Sequence, residues 1–289
     1  MRTRFQYQAN TQFIFLATIT LLVLGSAFLI FNHFNRFNSA TKMLSISLDH
    51  LGQTLAIYEH QSKTLKLPIL VYHYIEVVTD TRDTIRQSLS ITPSTFESQL
   101  LILLAHGYHP IKLSQLTDYF EKGVSLPENP IILSFDDGYR DFYSDVLPII
   151  SHFHIPVVLY MTNGFLDSTH NYLTMQQFLD INQNNLVEIA SHSINHPNLN
   201  ALSLDAAREE IAGSKLALEK ILNKKIEHYS YPYGSYSNDL IKIVREAGFK
   251  TASTTDLGIG QSYPNRYKLK RIRPGSLTGH ALLQFLQQN

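Results

Sequence analysis

Beyond about residue 66, the chain alternates short apolar runs with longer stretches in which apolar residues recur at helical spacing. Helical spacing is clearest over residues 203–222 and 237–247, and Gly248 then offers a helix end. Short apolar runs separated by amphipathic helices are typical of a parallel sheet covered by helices. The runs that we predict to be strands are residues 67–75, 131–135, 156–161, 187–191, 226–231, 249–253 and 269–272. Their number favours an α/β fold in the form of a parallel barrel over residues 67–289.

The N-terminal part of the chain has a different pattern. Residues 12–31 contain no charged side chain. A helix of about twenty residues rises about 30 Å, which is the thickness of a bilayer core. Arg2 and Arg4 precede this stretch and favour a cytoplasmic location for residues 1–11. We therefore expect residues 12–31 to be a single-pass transmembrane anchor in the plasma membrane, with the following domain outside the cytoplasm.

A cleaved signal peptide is the alternative interpretation of the same stretch. The small residues at 25–27 suit cleavage, and the protein would then be secreted. However, the apolar run continues through residues 28–31, which is longer than a signal peptide needs. This extra length favours the uncleaved anchor.

Residues 32–66 are polar and are predicted to form a stalk helix. Its apolar residues recur at alternating steps of four and three, which indicates a helical stripe. The stripe falls short of the roughly three to four heptads that identify a coiled coil. Its members are Leu44, Leu48, Leu51, Leu55 and Tyr58.

Composition excludes several classes of protein. Lys+Arg and Asp+Glu both number 24, so no basic field indicates a nucleic-acid partner. The chain has no cysteine, which excludes disulfides, thiolate metal sites, a cysteine nucleophile and a lipidated cysteine.

Candidate chemistry is found where the predicted strands end. The strand in "NPIILSFDDGYRD" leads into Asp136 and Asp137, although adjacent carboxylates repel each other and are costly to bury. A turn at Asp137-Gly138 would explain Asp137 but leaves Asp136 unexplained. In parallel barrels, the carboxyl ends of the strands carry the functional residues.

Other strand ends carry further candidates. His192 and His196 follow the strand at 187–191, Tyr233 follows the strand at 226–231, and His73 lies in the first strand. Each of these has an ordinary structural explanation when taken alone, as a chance histidine pair, a turn or a core histidine. Together they lie where a barrel site would lie.

Two histidines and one carboxylate make a three-ligand metal site with an open position. Asp137 would be the carboxylate ligand, and a divalent cation there would relieve its repulsion with Asp136. Asp136 would then be free to act as the general base for an attacking water. A non-haem iron(II) oxygenase uses a similar set of ligands. The second aspartate and the spacing of the histidines favour hydrolysis.

Three segments, "SFDDG", "HSINH" and "YPYG", resemble the first three motifs of the polysaccharide deacetylase family with the NodB homology domain, also called carbohydrate esterase family 4. The resemblance covers roughly residues 67–274. It implies a distorted (β/α) barrel and a divalent metal, most often zinc, with cobalt and manganese as alternatives. By position, Asp136 is the base, and the metal ligands are Asp137, His192 and His196. The backbone N–H of Tyr233 would help to stabilise the oxyanion.

The resemblance also implies the reaction. Members remove N-acetyl groups from amino-sugar polymers, so the expected substrate is a polysaccharide that contains N-acetylglucosamine, of the peptidoglycan or poly-N-acetylglucosamine type. Removal of O-acetyl groups from xylan is an alternative, and so is a catalytically inactive glycan-binding module. The 16 tyrosines suit sugar stacking in either case.

Two departures from the family pattern change the expected roles. The arginine of the third motif is replaced by Ser230 or Tyr231, and we expect Arg271 or Arg273 to take its place beside Asp136. The terminal leucine-x-histidine motif is absent, and His280 lies in a predicted terminal helix. The chain instead resembles a subgroup with an N-terminal "YHxI" strand, here residues 72–75, which looks circularly permuted. His73 then becomes the candidate general acid.

Overall fold

The structure is a computed structural model that describes residues 2–80 and 82–289, without the side chains of residues 2–21, 27, 40 and 56. The chain divides into two compact units, residues 1–56 and residues 57–289. The first unit belongs to one long helix, α1 (Arg2–Ser62), which includes most of the predicted stalk.

More than half of the side chains of the predicted anchor cannot be compared with the structure. Among the described residues, no helix is both long enough and apolar enough to cross a membrane. The side chains of residues 12–21 and 27, which belong to the predicted span of 12–31, lie outside the described residues. The membrane anchor therefore stays a prediction.

The second unit follows a strand–helix alternation after α1. Its strands are β1 (Leu65–Lys66), β2 (Ile69–Tyr72), β3 (Tyr74–Ile75), β4 (Ser90–Ile91), β5 (His109–Pro110), β6 (Pro130–Phe135), β7 (Val157–Met161), β8 (Val187–Ser191), β9 (His228–Ser230), β10 (Thr251–Leu257), β11 (Gly260–Gln261) and β12 (Leu269–Arg271). Its further helices are α2 (Thr84–Leu89), α3 (Pro93–Ala105), α4 (Leu113–Lys122), α5 (Leu147–Phe153), α6 (Met175–Gln183), α7 (Leu204–Leu222), α8 (Asn238–Glu246) and α9 (Gly279–Gln288).

Seven parallel strands form the barrel, in the order β12-β10-β9-β8-β7-β6-β2, and β5 pairs with β6 beside them. The barrel closes between its first and last strands, because Val71 N–H donates to Ile272 O at 2.9 Å and Ile272 N–H donates to Ile69 O at 2.8 Å. The predicted parallel barrel is therefore confirmed.

Burial explains why these strands read as continuous apolar runs. All six residues of β6 are buried, since one face lines the barrel interior and the other packs against the helices. Ile132 lies in an interior cluster with Val158 and Tyr160. Its neighbour Leu133 belongs to the larger outer cluster. Successive strand residues point to opposite faces, so both faces must be apolar.

Local capping groups set the helix boundaries, and the predicted helix end at Gly248 is one of them. The α3 helix begins where Thr92 Oγ1 accepts a hydrogen bond from Thr95 N–H at 3.1 Å. The α8 helix ends before Gly248, whose φ of 81° is the left-handed conformation that favours glycine.

The first predicted strand, residues 67–75, is broken by the fold. β2 ends at Tyr72, and Tyr74 and Ile75 pair with β4 outside the barrel. His73 occupies the break and faces the carboxyl end of the barrel. The apolar run could not reveal this break, because both halves are strands in the structure.

Candidate metal centre and active site

The two adjacent aspartates diverge at the carboxyl end of β6. Asp136 N–H still donates to Tyr72 O of the neighbouring strand, at 3.0 Å. Asp137 and Gly138 then adopt left-handed φ angles of 76° and 82°. The φ of Gly138 favours glycine, and a Cβ atom there would also displace the end of the Met161 side chain, 2.6 Å away. The turn directs the two carboxylates to different partners.

The two histidines lie on the loop after β8. His192 Nδ1 is hydrogen-bonded to Ser230 O at 2.8 Å, which leaves Nε2 facing Asp137 Oδ1 at 3.5 Å. His196 Nε2 lies 3.4 Å from the same oxygen. His196 has a φ of 53°, so the pair converges through a strained loop and not through a helical turn.

A glutamate from α7 holds this loop in place. Glu210 accepts hydrogen bonds from the backbone N–H groups of Ile194 and Asn195, at 3.0 and 2.9 Å, and from the Asn195 amide at 2.8 Å. Sequence reasoning missed this residue, because a glutamate in an amphipathic helix resembles any solvated residue. Its role depends on which loop the helix lies beside.

The three predicted ligands fit a divalent cation. One ligand atom from each of Asp137, His192 and His196 lies within 4.8 Å of the others. Asp137 Oδ1 is buried and lacks a hydrogen-bond partner among the described residues. A buried, unpaired carboxylate oxygen is costly unless a cation binds it. Two nitrogens and one oxygen make a donor set that suits zinc.

Electrostatics in this cluster agree with that fit. Burial raises the pKa of Asp137 to about 6. Burial also lowers the pKa of His192 and of His196, so both imidazoles are neutral and can offer a lone pair. A bound cation would hold Asp137 ionised, because an adjacent positive charge favours the carboxylate.

Asp136 is paired with Arg271. This agrees with the expectation that Arg271 or Arg273 takes the place of the missing motif arginine. Two parallel bonds join them, from Nη1 to Oδ1 at 2.7 Å and from Nη2 to Oδ2 at 2.8 Å. Both residues are buried. Burial alone would raise the pKa of Asp136, but the charge of Arg271 outweighs burial and holds that pKa well below its usual value. Asp136 is therefore a carboxylate at neutral pH.

Neighbouring strands fix the guanidinium. Arg271 Nε donates to Thr254 O at 2.8 Å, and Nη2 donates to Ser230 Oγ at 3.1 Å. Ser230 is one of the two residues that were expected to replace the motif arginine. The guanidinium thus reaches that position from β12. Arg273, the other candidate, is exposed.

The remaining predicted residues line one cleft with this cluster. The cleft has a volume of about 650 Å³ and includes His73, Tyr233 and Arg273. Burial lowers the pKa of His73 to about 4. Its Nδ1 is buried and has no hydrogen-bond partner among the described residues. The Tyr233 ring packs edge-on to His196 with 4.6 Å between centroids, and Tyr233 is 65% exposed.

Aromatic rings form one wall of the cleft. Tyr139 stacks on Tyr74 at 3.8 Å and on Tyr172 at 5.1 Å between centroids. Phe165 packs against Tyr172 at 4.6 Å. The sequence indicated sugar stacking only through its number of tyrosines, because these rings come from segments far apart in the chain.

The Arg271–Asp136 pair can be tested by removing the guanidinium group alone. Arg271→Met keeps much of the side-chain volume but leaves Asp136 buried without a counter-charge. We expect the free energy of unfolding to fall by about 3–5 kcal/mol, the usual cost of breaking a buried pair. Denaturant unfolding at pH 7 measures this loss. Arg273→Met is the matched control, and equal losses in both variants would contradict the assignment of Arg271.

Comparison with known proteins agrees with this geometry. The sequence model of the polysaccharide deacetylase family matches residues 123–252. YxkH of Bacillus subtilis, whose name describes it as a polysaccharide deacetylase, is 27% identical over 78% of this chain and 77% of its own. The poly-β-1,6-N-acetyl-D-glucosamine N-deacetylase of Staphylococcus epidermidis is 26% identical over 64% of this chain and 68% of its own.

A solved structure shares the same fold. The Streptococcus pyogenes deacetylase PplD, in complex with acetate, matches with a TM-score of 0.71 at 27% identity. The match covers 78% of this chain and 99% of PplD. The family match spans Asp136, Asp137, His192 and His196, so the segment that holds the site is similar to the polysaccharide deacetylases, which are hydrolases that act on amide C–N bonds.

Proposed function

We propose that this protein is a metal-dependent deacetylase that hydrolyses the N-acetyl groups of an extracellular amino-sugar polymer of the poly-N-acetylglucosamine or peptidoglycan type. One observation carries the proposal. The carboxylate of Asp136, kept ionised by Arg271, lies beside the Asp137–His192–His196 cluster in one cleft. A base next to a three-donor metal site is what amide hydrolysis by water requires.

A divalent cation held by Asp137, His192 and His196 would lower the pKa of a bound water and polarise the acetyl carbonyl. Asp136 takes the proton that the attacking water loses. Since Arg271 donates a hydrogen bond to each oxygen of Asp136, the Asp136 carboxylate stays oriented beside the Asp137–His192–His196 cluster. The Tyr233 backbone N–H donates to the oxyanion that develops on the acetyl oxygen.

His73 supplies the second proton in this proposal. An amide nitrogen leaves only when it is protonated, so hydrolysis needs an acid on the leaving-group side. With a pKa near 4, His73 is neutral at pH 7, so it must first take up a proton, the one that the attacking water gives to Asp136. Its protonated form then donates that proton to the nitrogen as the C–N bond breaks. The net reaction consumes one water and yields an amine and acetic acid, which ionises to acetate and a proton.

The choice of polymer rests on the relatives and on the cleft. The Staphylococcus epidermidis relative is named for poly-β-1,6-N-acetyl-D-glucosamine, and PplD was solved with acetate, the expected product. Phe165 and Tyr172 line the cleft and the Tyr233 ring is 65% exposed there, so these rings offer aromatic surface to sugar rings.

Acetate release is the direct test. The full-length protein, purified in detergent, should release acetate from poly-N-acetylglucosamine or peptidoglycan, and much less from acetylated xylan. Chelation should abolish the release, and zinc, cobalt or manganese should restore it. Preference for xylan would favour the esterase alternative. Release from none of these glycans would favour an inactive binding module, and full activity of metal-stripped protein would overturn the metal site.

Two variants test the division of labour within that site. His196→Ala should lower zinc occupancy, which elemental analysis of the purified protein measures. Asp136→Asn should keep the metal and lose acetate release by about 10²–10⁴-fold, the usual value of a general base. If both variants lose zinc equally, the separation between ligand and base is wrong.

His73 can be tested with two leaving groups. His73→Ala should reduce N-deacetylation by about 10²–10⁴-fold, since the amine needs a proton to depart. A nitrophenyl acetate ester needs no such proton, so its hydrolysis should fall much less, with zinc content unchanged. Equal losses on both substrates would make His73 a structural or binding residue, and no loss on either would exclude it as the acid.

The location of the domain is part of the proposal. Residues 12–31 carry no charge and follow Arg2 and Arg4, which supports an anchor with the catalytic domain outside the plasma membrane. Protease added to intact spheroplasts should then digest the domain. Protection until lysis would place it inside, away from extracellular glycans.

A further inference from the structure

An exposed apolar stripe runs along the described part of α1. Its members are Phe34, Phe37, Leu44, Leu48, Leu51 and Leu55, with Thr41 filling the one polar position, and we call these seven residues the α1 stripe. They are spaced alternately three and four residues apart, and Tyr58 continues the spacing in the sequence. In the seven-residue repeat of a coiled coil, whose positions are lettered a to g, these residues occupy positions a and d as the pairs 34/37, 41/44, 48/51 and 55/58. The two aromatic residues extend the predicted leucine stripe to the length that a coiled coil requires.

These apolar side chains are exposed. Their exposed fractions run from 55% at Leu51 to 62% at Phe37. Soluble proteins rarely leave so long an apolar face uncovered. Some surface must therefore cover it in the working protein.

The period of the stripe indicates what covers it. Helices that pack on a globular core show a wide apolar face with a period of about 3.6 residues. A narrow stripe with a strict period of 3.5 stays on one side only if the helix supercoils around another helix. The partner that fits this stripe is thus a helix with the same repeat.

Charge placement points to a second copy of the same chain. Arg36, Lys42 and Asp49 are the charged residues between positions 32 and 58, and all three fall at b or c positions, away from the stripe. The flanking e and g positions carry no charge, as at Ser47 and Gly52. Two identical helices can therefore align in register without like charges meeting across the seam.

Thr41 favours the parallel arrangement. In a parallel pair it meets the same residue of the other helix, whereas an antiparallel pair places it against an apolar side chain. Its hydroxyl already donates to Asn38 O at 2.9 Å, so burial leaves no unsatisfied donor. A single polar a position is a known means of setting register.

The available area is adequate for a stable pair. A large apolar side chain gains about 1.5–3 kcal/mol on burial at about 25 cal/mol/Å², which corresponds to roughly 60–120 Å². The apolar stripe residues and Tyr58 together then supply roughly 400–800 Å² per chain. A standard interface buries about 600–1,000 Å² per partner, a range that this estimate reaches before the flanking residues are counted.

We propose that the α1 stripe is the seam of a parallel homodimeric coiled coil that pairs two copies of this protein. Pairing joins two catalytic domains in one assembly, which would increase retention on a repeating polymer. That benefit rests on the proposed function, but the pairing itself does not. Substitutions confined to α1 therefore test the pairing separately from the activity.

Cysteine cross-linking of the full-length protein provides the test, because the chain has no cysteine of its own. Leu48→Cys and Leu51→Cys place a thiol at an a and a d position of the seam. Asp49→Cys and Gln53→Cys are matched controls at b and f positions of the same turns. After mild oxidation in detergent, the seam variants should form a covalent dimer of twice the chain mass, several-fold more than the controls, since a disulfide needs Cα atoms within about 7 Å.

Equal cross-linking at all four positions, or none at the seam, would overturn the proposal. A second measurement guards against accidental disulfides. Light scattering of the cysteine-free protein should give a dimer, and Leu48→Glu with Leu51→Glu should halve the mass while the thermal transition of the catalytic domain stays in place. Gln53→Glu should leave the dimer intact. A monomeric wild-type protein would show that another surface covers the stripe.

Discussion

The buried pair between Arg271 and Asp136 is the interaction on which the site depends. A carboxylate and a guanidinium are both costly to remove from water, and only close, double hydrogen bonding offsets that cost. The pair joins β12 to β6 across the barrel, and Ser230 and Thr254 bind the guanidinium from the strands between. Because partners from β6, β9 and β10 meet around one side chain of β12, the site exists only when the barrel closes.

The backbone around the site is strained where the chemistry lies. Asp137, Ser193, His196 and Tyr233 all adopt left-handed φ angles, which cost side-chain-bearing residues about 1–3 kcal/mol each. Each of them lies in a turn that follows a barrel strand. The rigid strands over-determine these turns, so that Asp137 and the histidines converge while Asp136, paired with Arg271, lies beside them. The protein thus stores local strain where it separates the base from the ligands.

Much of the fold and the centre of the site could be predicted from the sequence. Buried parallel strands are apolar on both faces, and helix ends at Thr92 and Gly248 carry their own capping chemistry, so local patterns were sufficient there. The break at His73 was not predictable, because the change of partner strand leaves no mark in an apolar run. Glu210 was missed for a related reason: its role is to bind the loop beside it, and nothing in the pattern of its own helix indicates that loop.

The sequence by itself determined the strand–helix order, the residue types at the strand ends and the heptad spacing along α1. These are local properties, because side-chain periodicity and the types of neighbouring residues are sufficient to set them. Only the tertiary structure decided that Arg271, and not Arg273, binds Asp136, and that two histidines reach Asp137 through a left-handed loop. Both outcomes depend on distances between residues far apart in the chain, which the closure of the barrel sets and which no local pattern records.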